Sequence, residues 1–248
     1  MTEHTVRPIR PAQLRTAQVP PAPLAPAQPA RARAGRSAAW SLVLPLKPLA
    51  LAKSRLDPYA GAHRADLALA FALDTVTAAL NCPAVAQVLV VSRDPVAGPR
   101  LAGLGAVLVT DEPTGHPGEG LNPALAHGAA HARRLRPDAP LAALSADLPA
   151  LRPAELARVL GAVPAGARAF LADAPGQGTT LLACAAGRQL EPAFGGASRQ
   201  RHALGGALEL ALPDVPSVRR DVDTGADLAE ALLLGVGPHT RRVAAALV

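Results

Sequence analysis

Lys47, Lys53 and Arg55 stand within nine residues of one another, directly after the apolar run Ser41-Leu42-Val43-Leu44. Cations clustered there suit a polyphosphate, whose β- and γ-phosphates need neutralising before pyrophosphate can leave. The alternative is a solvated loop, since exposed Lys and Arg are ordinary surface residues, and no GxxxxGK[ST] P-loop is present. Asp147 follows a second apolar run, Leu141 to Leu144, and is succeeded by Leu148-Pro149. A carboxylate at a strand's carboxyl end is placed to ligate Mg2+, or else to cap a turn or helix. Asp221-Val222-Asp223 closes a less apolar strand candidate around Ser217 to Val222, and strand alternation would put both carboxylates on one face. With Asp147 they make a hard oxygen site for one or two divalent ions of the kind that also bind nucleotide phosphates. Asp223 competes with Thr224 as the cap of a helix beginning near Ala226, so Asp221 is the favoured ligand.

Two further patches carry neutral groups. Gly118-Glu119-Gly120-Leu121-Asn122 precedes a helix expected to start at Pro123, a favoured first helical position. Asn122 is then either its N-cap or, with Gly120, part of a nucleotide site that reads a base or ribose. Thr179, Gly195 and Ser198 offer hydroxyls and an unhindered backbone N–H, which suits a small phosphorylated acid, with Arg199, Arg201 and His202 immediately after. Each glycine alone is only a turn.

These patches need a scaffold that brings them to one rim. Short continuous apolar runs at Ser41–Leu44, Val88–Val91, Ala106–Val109, Leu141–Leu144, Ala169–Ala172 and Thr180–Ala183 read as strands covered on both faces. Helical periods fall between them, over Ala65–Leu80, Pro99–Leu104, Asn122–Leu135, Pro153–Leu160 and Ala226–Leu234. The alternation predicts an α/β fold with a mainly parallel central sheet, right-handed crossovers and helices on both faces. The Gly/Pro-rich stretch Asp173–Gly178 between two successive strands predicts a small antiparallel excursion. In such a sheet, ligands bind beyond the strand carboxyl ends.

Bulk properties narrow the function. A chain of 248 residues, half of them hydrophobic, buries one sizeable core. Aromatic residues make up only 2%, which argues against base-stacking nucleic-acid platforms. The net charge of +6 is concentrated: residues 1–38 hold six Arg against one Glu, so the remainder is nearly neutral. That stretch also carries seven of the 26 prolines and is expected to be a disordered Pro/Ala/Arg-rich tail preceding a single domain over 39–248. No continuous apolar segment of signal or membrane-spanning type occurs, so a cytoplasmic location is expected, with neither a membrane nor a specific nucleic acid as partner. Cys82 and Cys184 have no His or Cys at metal-ligand spacing, which makes zinc improbable.

Taken in order, the motifs resemble one family, the 2-phospho-L-lactate or phosphoenolpyruvate guanylyltransferases of coenzyme F-420 biosynthesis. The carriers are Leu44-Pro45-Leu46-Lys47 with Ala52-Lys53-Ser54-Arg55-Leu56, Gly120-Leu121-Asn122, Asp147-Leu148-Pro149, Gly178-Thr179, Phe194-Gly195 with Ser198 and His202, Asp221-Val222-Asp223-Thr224 with Ala226-Asp227-Leu228, and Leu234-Gly235-Val236-Gly237-Pro238. The resemblance implies a Rossmann-like nucleotidyltransferase fold, with Thr179, Gly195 and Ser198 on a phosphoenolpyruvate-type substrate and Asp147 and Asp221 on Mg2+. It also implies GTP as donor and a downstream transferase acting on the deazaflavin precursor. Gln177 stands where a Thr is expected between two glycines, and the N-terminal tail is outside the pattern. Two other readings remain open: a glycosyltransferase using Asp221-Val222-Asp223 as an Asp-x-Asp motif, and a non-catalytic nucleotide-binding protein.

Overall fold

The apolar runs do form strands. The computed structural model describes residues 39–110 and 120–247, so the tail over 1–38 and Gly118-Glu119 of the Gly118-Glu119-Gly120-Leu121-Asn122 motif lie outside the described residues. The strands are β1 (Trp40–Pro45), β2 (Val85–Val91), β3 (Val107–Val109), β4 (Leu141–Leu144), β5 (Arg168–Ala172), β6 (Thr179–Cys184) and β7 (Leu208–Glu209). The helices are α1 (Asp57–Ala60), α2 (Arg64–Leu80), α3 (Ala97–Gly103), α4 (Leu121–Leu135), α5 (Pro153–Gly161), α6 (Ser198–Leu204), α7 (Pro216–Arg219), α8 (Gly225–Leu234) and α9 (Pro238–Ala244).

The strands make one sheet in the order β3-β2-β1-β4-β6-β5-β7. Pairs β1/β2, β1/β4, β2/β3 and β5/β7 are parallel; β6 alone runs antiparallel, to both β4 and β5. The excursion over Asp173–Gly178 is therefore real, but its return strand is not peripheral. It inserts between β4 and β5, which puts Thr179 at the same rim as the carboxyl ends of β1, β4 and β5.

Period-two alternation divides the core between the two faces. Leu42, Leu44, Val88, Val90 and Leu181 pack with Leu69, Leu73 and Val76 of α2 and Leu156 and Val159 of α5. Val43, Leu89, Val91 and Leu182 pack with Leu125, Ala129 and Ala132 of α4. Helix α4 comes so close that a Cβ at Gly128 would lie 2.5 Å from Val43 Cγ1, and only glycine fits the crossing. Helix α2 also buries its outer side, where Leu67 and Phe71 meet Val222, Leu228 and Ala231. Its Asp74 carboxylate accepts from the His239 and Thr240 N–H groups at the start of α9, at 3.1 and 2.8 Å, and so satisfies donors that a helix start leaves unpaired.

Two expectations are corrected. Ser217–Val222 is not a strand: Pro216 opens α7, and the Glu155 carboxylate takes both the N–H and the hydroxyl of Ser217 at 2.8 Å. A proline offers no ladder donor, and the carboxylate supplies the local partners that favour a helical turn. Asn122 does not cap a helix starting at Pro123, because α4 starts at Leu121 with Gly120 as N-cap in ordinary right-handed conformation, φ −62°. No helix among the described residues is long and apolar enough to cross a membrane.

Candidate active site

The loop after β1 is held from outside. Arg64, at the start of α2, donates from its guanidinium to the carbonyls of Leu49, Ala50 and Ala52 and pairs with Asp57 at 2.7 Å. Asp94 accepts from the Leu49 N–H at 2.8 Å and from Val96 and Ala97 at the head of α3. Burial opposes its charge, yet those three backbone donors outweigh it and hold the Asp94 carboxyl below its ordinary range. The pinned loop delivers Lys53 in left-handed conformation, φ 57°, an unfavourable setting for a side chain with a Cβ. Strain of this kind persists where the surroundings over-determine it.

Lys53 Nζ donates to Asp147 Oδ2 and, at 2.7 Å, to Asp223 Oδ1. Asp147 comes from the turn after β4, and its carbonyl accepts from the Val222 N–H at 3.1 Å, which stitches that turn to the 221–223 segment. Val222 is fully buried between two partly exposed aspartates, so the expected alternation survives without a strand. Thr224 caps α8 in a reciprocal box with Asp227, whose carboxylate also takes the Asp223 N–H at 3.2 Å. Asp223 is thus free of capping duty and faces Lys53.

The electrostatics are lopsided. Burial alone would lower the Lys53 ammonium, but Asp147 and then Asp223 outweigh it and hold its pKa above the ordinary value. Asp223 is held low despite burial, first by Lys53 and then by Arg55 and Lys47. Lys47 and Arg55 are themselves exposed and form no ion pair among the described residues. Asp221 goes the other way: burial first, then Asp147 and Asp223, push it up to about 7, with Lys53 opposing. Asp147 Oδ1 is buried without a hydrogen-bond partner among the described residues. Among the described residues, no group of three or more His, Cys, Asp or Glu is arranged to hold a metal ion by itself. The residues nonetheless fit a divalent cation: one carboxylate oxygen is orphaned, and in the neighbouring Asp221 burial and two like charges outweigh the compensation from Lys53.

The second half of the rim begins at the end of β5. Asp173 accepts from the N–H groups of Gln177 and Gly178, both at 2.8 Å, and a Cβ at Gly178 would collide with its carboxylate. This turn sets Thr179 at the start of β6. The Thr179 hydroxyl lies 3.0 Å from His202 Nδ1, while His202 Nε2 accepts from the Ala193 N–H at 3.0 Å. The loop onward from Ala193 carries Gly195 at φ +95° and the buried Ser198. Asn122 grips it: its amide accepts from the Phe194 N–H at 2.7 Å and donates to the Phe194 carbonyl at 3.1 Å. Its expected base- or ribose-reading side chain is thus already engaged in positioning the loop. The Ser145 N–H to Thr180 carbonyl bond, 2.9 Å, joins this half to the β4 end carrying Asp147. The structure places Lys53, Asp147 and Asp223 in contact, with Asp221 in electrostatic reach. Thr179 and the Gly195–Ser198 loop are tied together through His202. Arg64 and Asp94 had no place in the sequence expectations, because each acts on backbone far from it, and Asp173 and Asp227 entered only within a turn and a motif, without a role of their own.

The family model described as a MobA-like NTP transferase domain matches residues 68–212. A phosphoenolpyruvate guanylyltransferase of Streptomyces scabiei is 62% identical over 210 residues, covering 84% of this chain and 97% of the relative. The chain belongs to the phosphoenolpyruvate guanylyltransferase family. Another family member, from Thermomonospora curvata, is 59% identical over 206 residues, covering 83% of this chain and 89% of its own. Among solved structures, a nucleotidyl transferase from Methanothermobacter thermautotroptrophicus superposes with a TM-score of 0.54 at 20% identity, covering 77% of this chain and 94% of that one. A 4-diphosphocytidyl-2C-methyl-D-erythritol synthase gives 0.52 at 16%, covering 79% and 98%. These distant structures bear on the fold, which is that of a nucleotidyltransferase; the family relationship makes the enzyme a guanylyltransferase.

Proposed function

We propose that the enzyme transfers GMP from GTP to phosphoenolpyruvate, releasing pyrophosphate, as a cytoplasmic step of coenzyme F-420 biosynthesis. The observation that carries the reading is the joined rim, in which Lys53 bridges Asp147 and Asp223 next to Asp221 while Thr179 and the Gly195–Ser198 loop stand one strand away. Relatives of about 60% identity named for phosphoenolpyruvate support that acceptor.

In the reaction, a phosphate oxygen of the acceptor attacks the α-phosphorus of GTP. The new O–Pα bond forms as the Pα–O bond to pyrophosphate breaks, in line. The attacking phosphate is already ionised, so no strong general base is required and the protein's share is positioning and charge neutralisation. Lys47 and Arg55, exposed and without an ion pair among the described residues, take the triphosphate, and Lys53 stands at the junction of the two anions. Thr179, Gly195 and Ser198 grip the acceptor. Gly120, at the head of α4, contributes to the nucleotide site, with Asn122 acting through the Phe194 loop. Asp147 and Asp221 would hold Mg2+, which when bound supplies charge neutralisation to phosphate oxygens of both reactants.

The product is a mixed diphosphate, and a transferase that passes its activated acid to the deazaflavin precursor is the partner expected downstream. A glycosyltransferase reading of Asp221-Val222-Asp223 leaves the Lys53 bridge without a role. Mass spectrometry of mixtures of GTP with phosphoenolpyruvate, 2-phospho-L-lactate or 3-phosphoglycerate tests the proposal: a guanosine-enolpyruvyl diphosphate is expected, and preference for another acid would reassign the acceptor. Asp147→Asn should keep its fold by circular dichroism and lose at least about a hundredfold in turnover, in line with removal of one charge-stabilising group.

A further inference from the structure

His202 has a fixed hydrogen-bond polarity that the reaction as described does not use. The ring is 3% exposed and lies edge-on to Phe194, with centroids 5.0 Å apart, and at 5.8 Å from Phe170. Its Nε2 is the acceptor for the Ala193 N–H, and a backbone amide can only donate. A neutral imidazole carries one ring hydrogen, so that hydrogen sits on Nδ1 and points at Thr179 Oγ1. Burial, then Arg201 and Arg168, push the His202 pKa down to about 4, so the ring stays neutral at ordinary pH. The Thr179 hydroxyl, its oxygen occupied as an acceptor, has to turn its own hydrogen elsewhere. His202 is the hydroxyl's partner among the described residues.

We infer that His202 is a positioning residue for the acceptor: its Nδ1–H polarises and orients the Thr179 hydroxyl as a donor to a substrate oxygen, while its Nε2 holds the Ala193 end of the Gly195–Ser198 loop. The inference rests on the acceptor site proposed above and deepens it. One side chain thereby couples the two elements that would close on the acid, the start of β6 and the loop before α6. A Thr hydroxyl free to rotate could point its hydrogen at the imidazole; one that already accepts from Nδ1–H must turn its hydrogen away from the ring, where it can be donated to a carboxylate or phosphate oxygen.

The two ring nitrogens can be tested separately. Gln in place of His202 puts an amide near the Nε2 position and can keep the Ala193 bond, whereas Asn places its amide near Nδ1 and can keep the donor to Thr179. With phosphoenolpyruvate and GTP as substrates, His202→Gln is expected to raise KM for phosphoenolpyruvate about tenfold, leaving KM for GTP within about twofold, the size expected for one hydrogen bond to a charged group. His202→Asn is expected to retain most of the acceptor affinity, and Thr179→Val to match His202→Gln, with the double variant no worse than Thr179→Val alone. Additive losses, or equal changes in both KM values, would overturn the inference. Nitrogen-15 spectra of the imidazoles, with His202 assigned by its loss in His202→Gln, provide a readout independent of turnover. The Nδ1–H form is expected at neutral pH, and an Nε2–H form would refute the assignment. Wild-type protein inactive on this pair overturns the proposed reaction, and the spectra still decide the state of His202.

Discussion

Replacing Lys53 with Met removes the one ammonium that contacts both Asp147 and Asp223 and keeps the aliphatic stem, so packing changes little. The Lys53 side chain is 13% exposed and that of Asp147 22%, whereas Asp223 is 51% exposed. Breaking a buried pair by deleting one partner costs roughly 3–5 kcal/mol, because the other charge is stranded; a half-exposed arm adds less than about 1 kcal/mol. Since Asp147 keeps some solvent contact, the lower end applies, and Lys53→Met should lose about 3 kcal/mol, or about 6–12 °C in Tm for a domain of this size. Differential scanning calorimetry in chelator measures this. Adding Mg2+ should then restore more Tm to the variant than to wild type, because a cation binding only the folded state stabilises it by mass action and the variant's carboxylates have lost their ammonium. A loss below about 1 kcal/mol, or identical Mg2+ responses, would refute the claim that Lys53 is the counter-charge of a cation-binding acid cluster.

Asp221→Asn should stabilise the metal-free protein at about pH 8 while abolishing turnover. Asp221 ionises near 7 in the fold against 3.8 in the unfolded chain, so its contribution is fully present below about pH 4 and is lost as pH rises through 7; the deficit is at most about 4 kcal/mol, nearer 2 after solvent screening. Urea melts of variant and wild type that coincide at both about pH 5 and pH 8 would contradict this. Arg64→Met should cost about 2 kcal/mol in urea unfolding and lower kcat about tenfold, because three carbonyls of the Lys53 loop lose a charged donor. Arg64→Lys should recover only part of it, since one ammonium cannot span the three.

The scaffold was legible because strands covered on both faces need continuous apolar runs, and six such runs appear as strands in the chain. What sequence withheld was partner choice. Nothing local states that β6 inserts between β4 and β5, and β7 is two exposed residues without any period. The 217–222 segment misled because Val218 and Val222 are both buried and mimic a strand pattern, although a carboxylate from α5 shapes their backbone. Asn122 misled for the same reason: its place before Pro123 signals a helix start, but its amide is engaged by Phe194, 72 residues away.

The same distinction separates the acids of this rim. Asp94 and Asp173 have both oxygens occupied by backbone N–H groups, whereas Asp227 and Glu155 have one oxygen on backbone N–H groups and the other on Arg220 or Arg152, and each fixes a segment that carries or adjoins a site residue. Those four are anchors, with little capacity left for a ligand. Among the described residues Asp147 and Asp221 differ: one has a buried oxygen with no donor, and the other has no hydrogen bond and is hard to ionise. Buried polar groups are normally satisfied, and leaving one unsatisfied costs about 1–3 kcal/mol. A chain that satisfies four carboxylates around a rim and leaves two deficient in its middle has its electrostatic strain concentrated where a cation would relieve it. Satisfied acids build the site, and the unsatisfied pair is where the chemistry is expected.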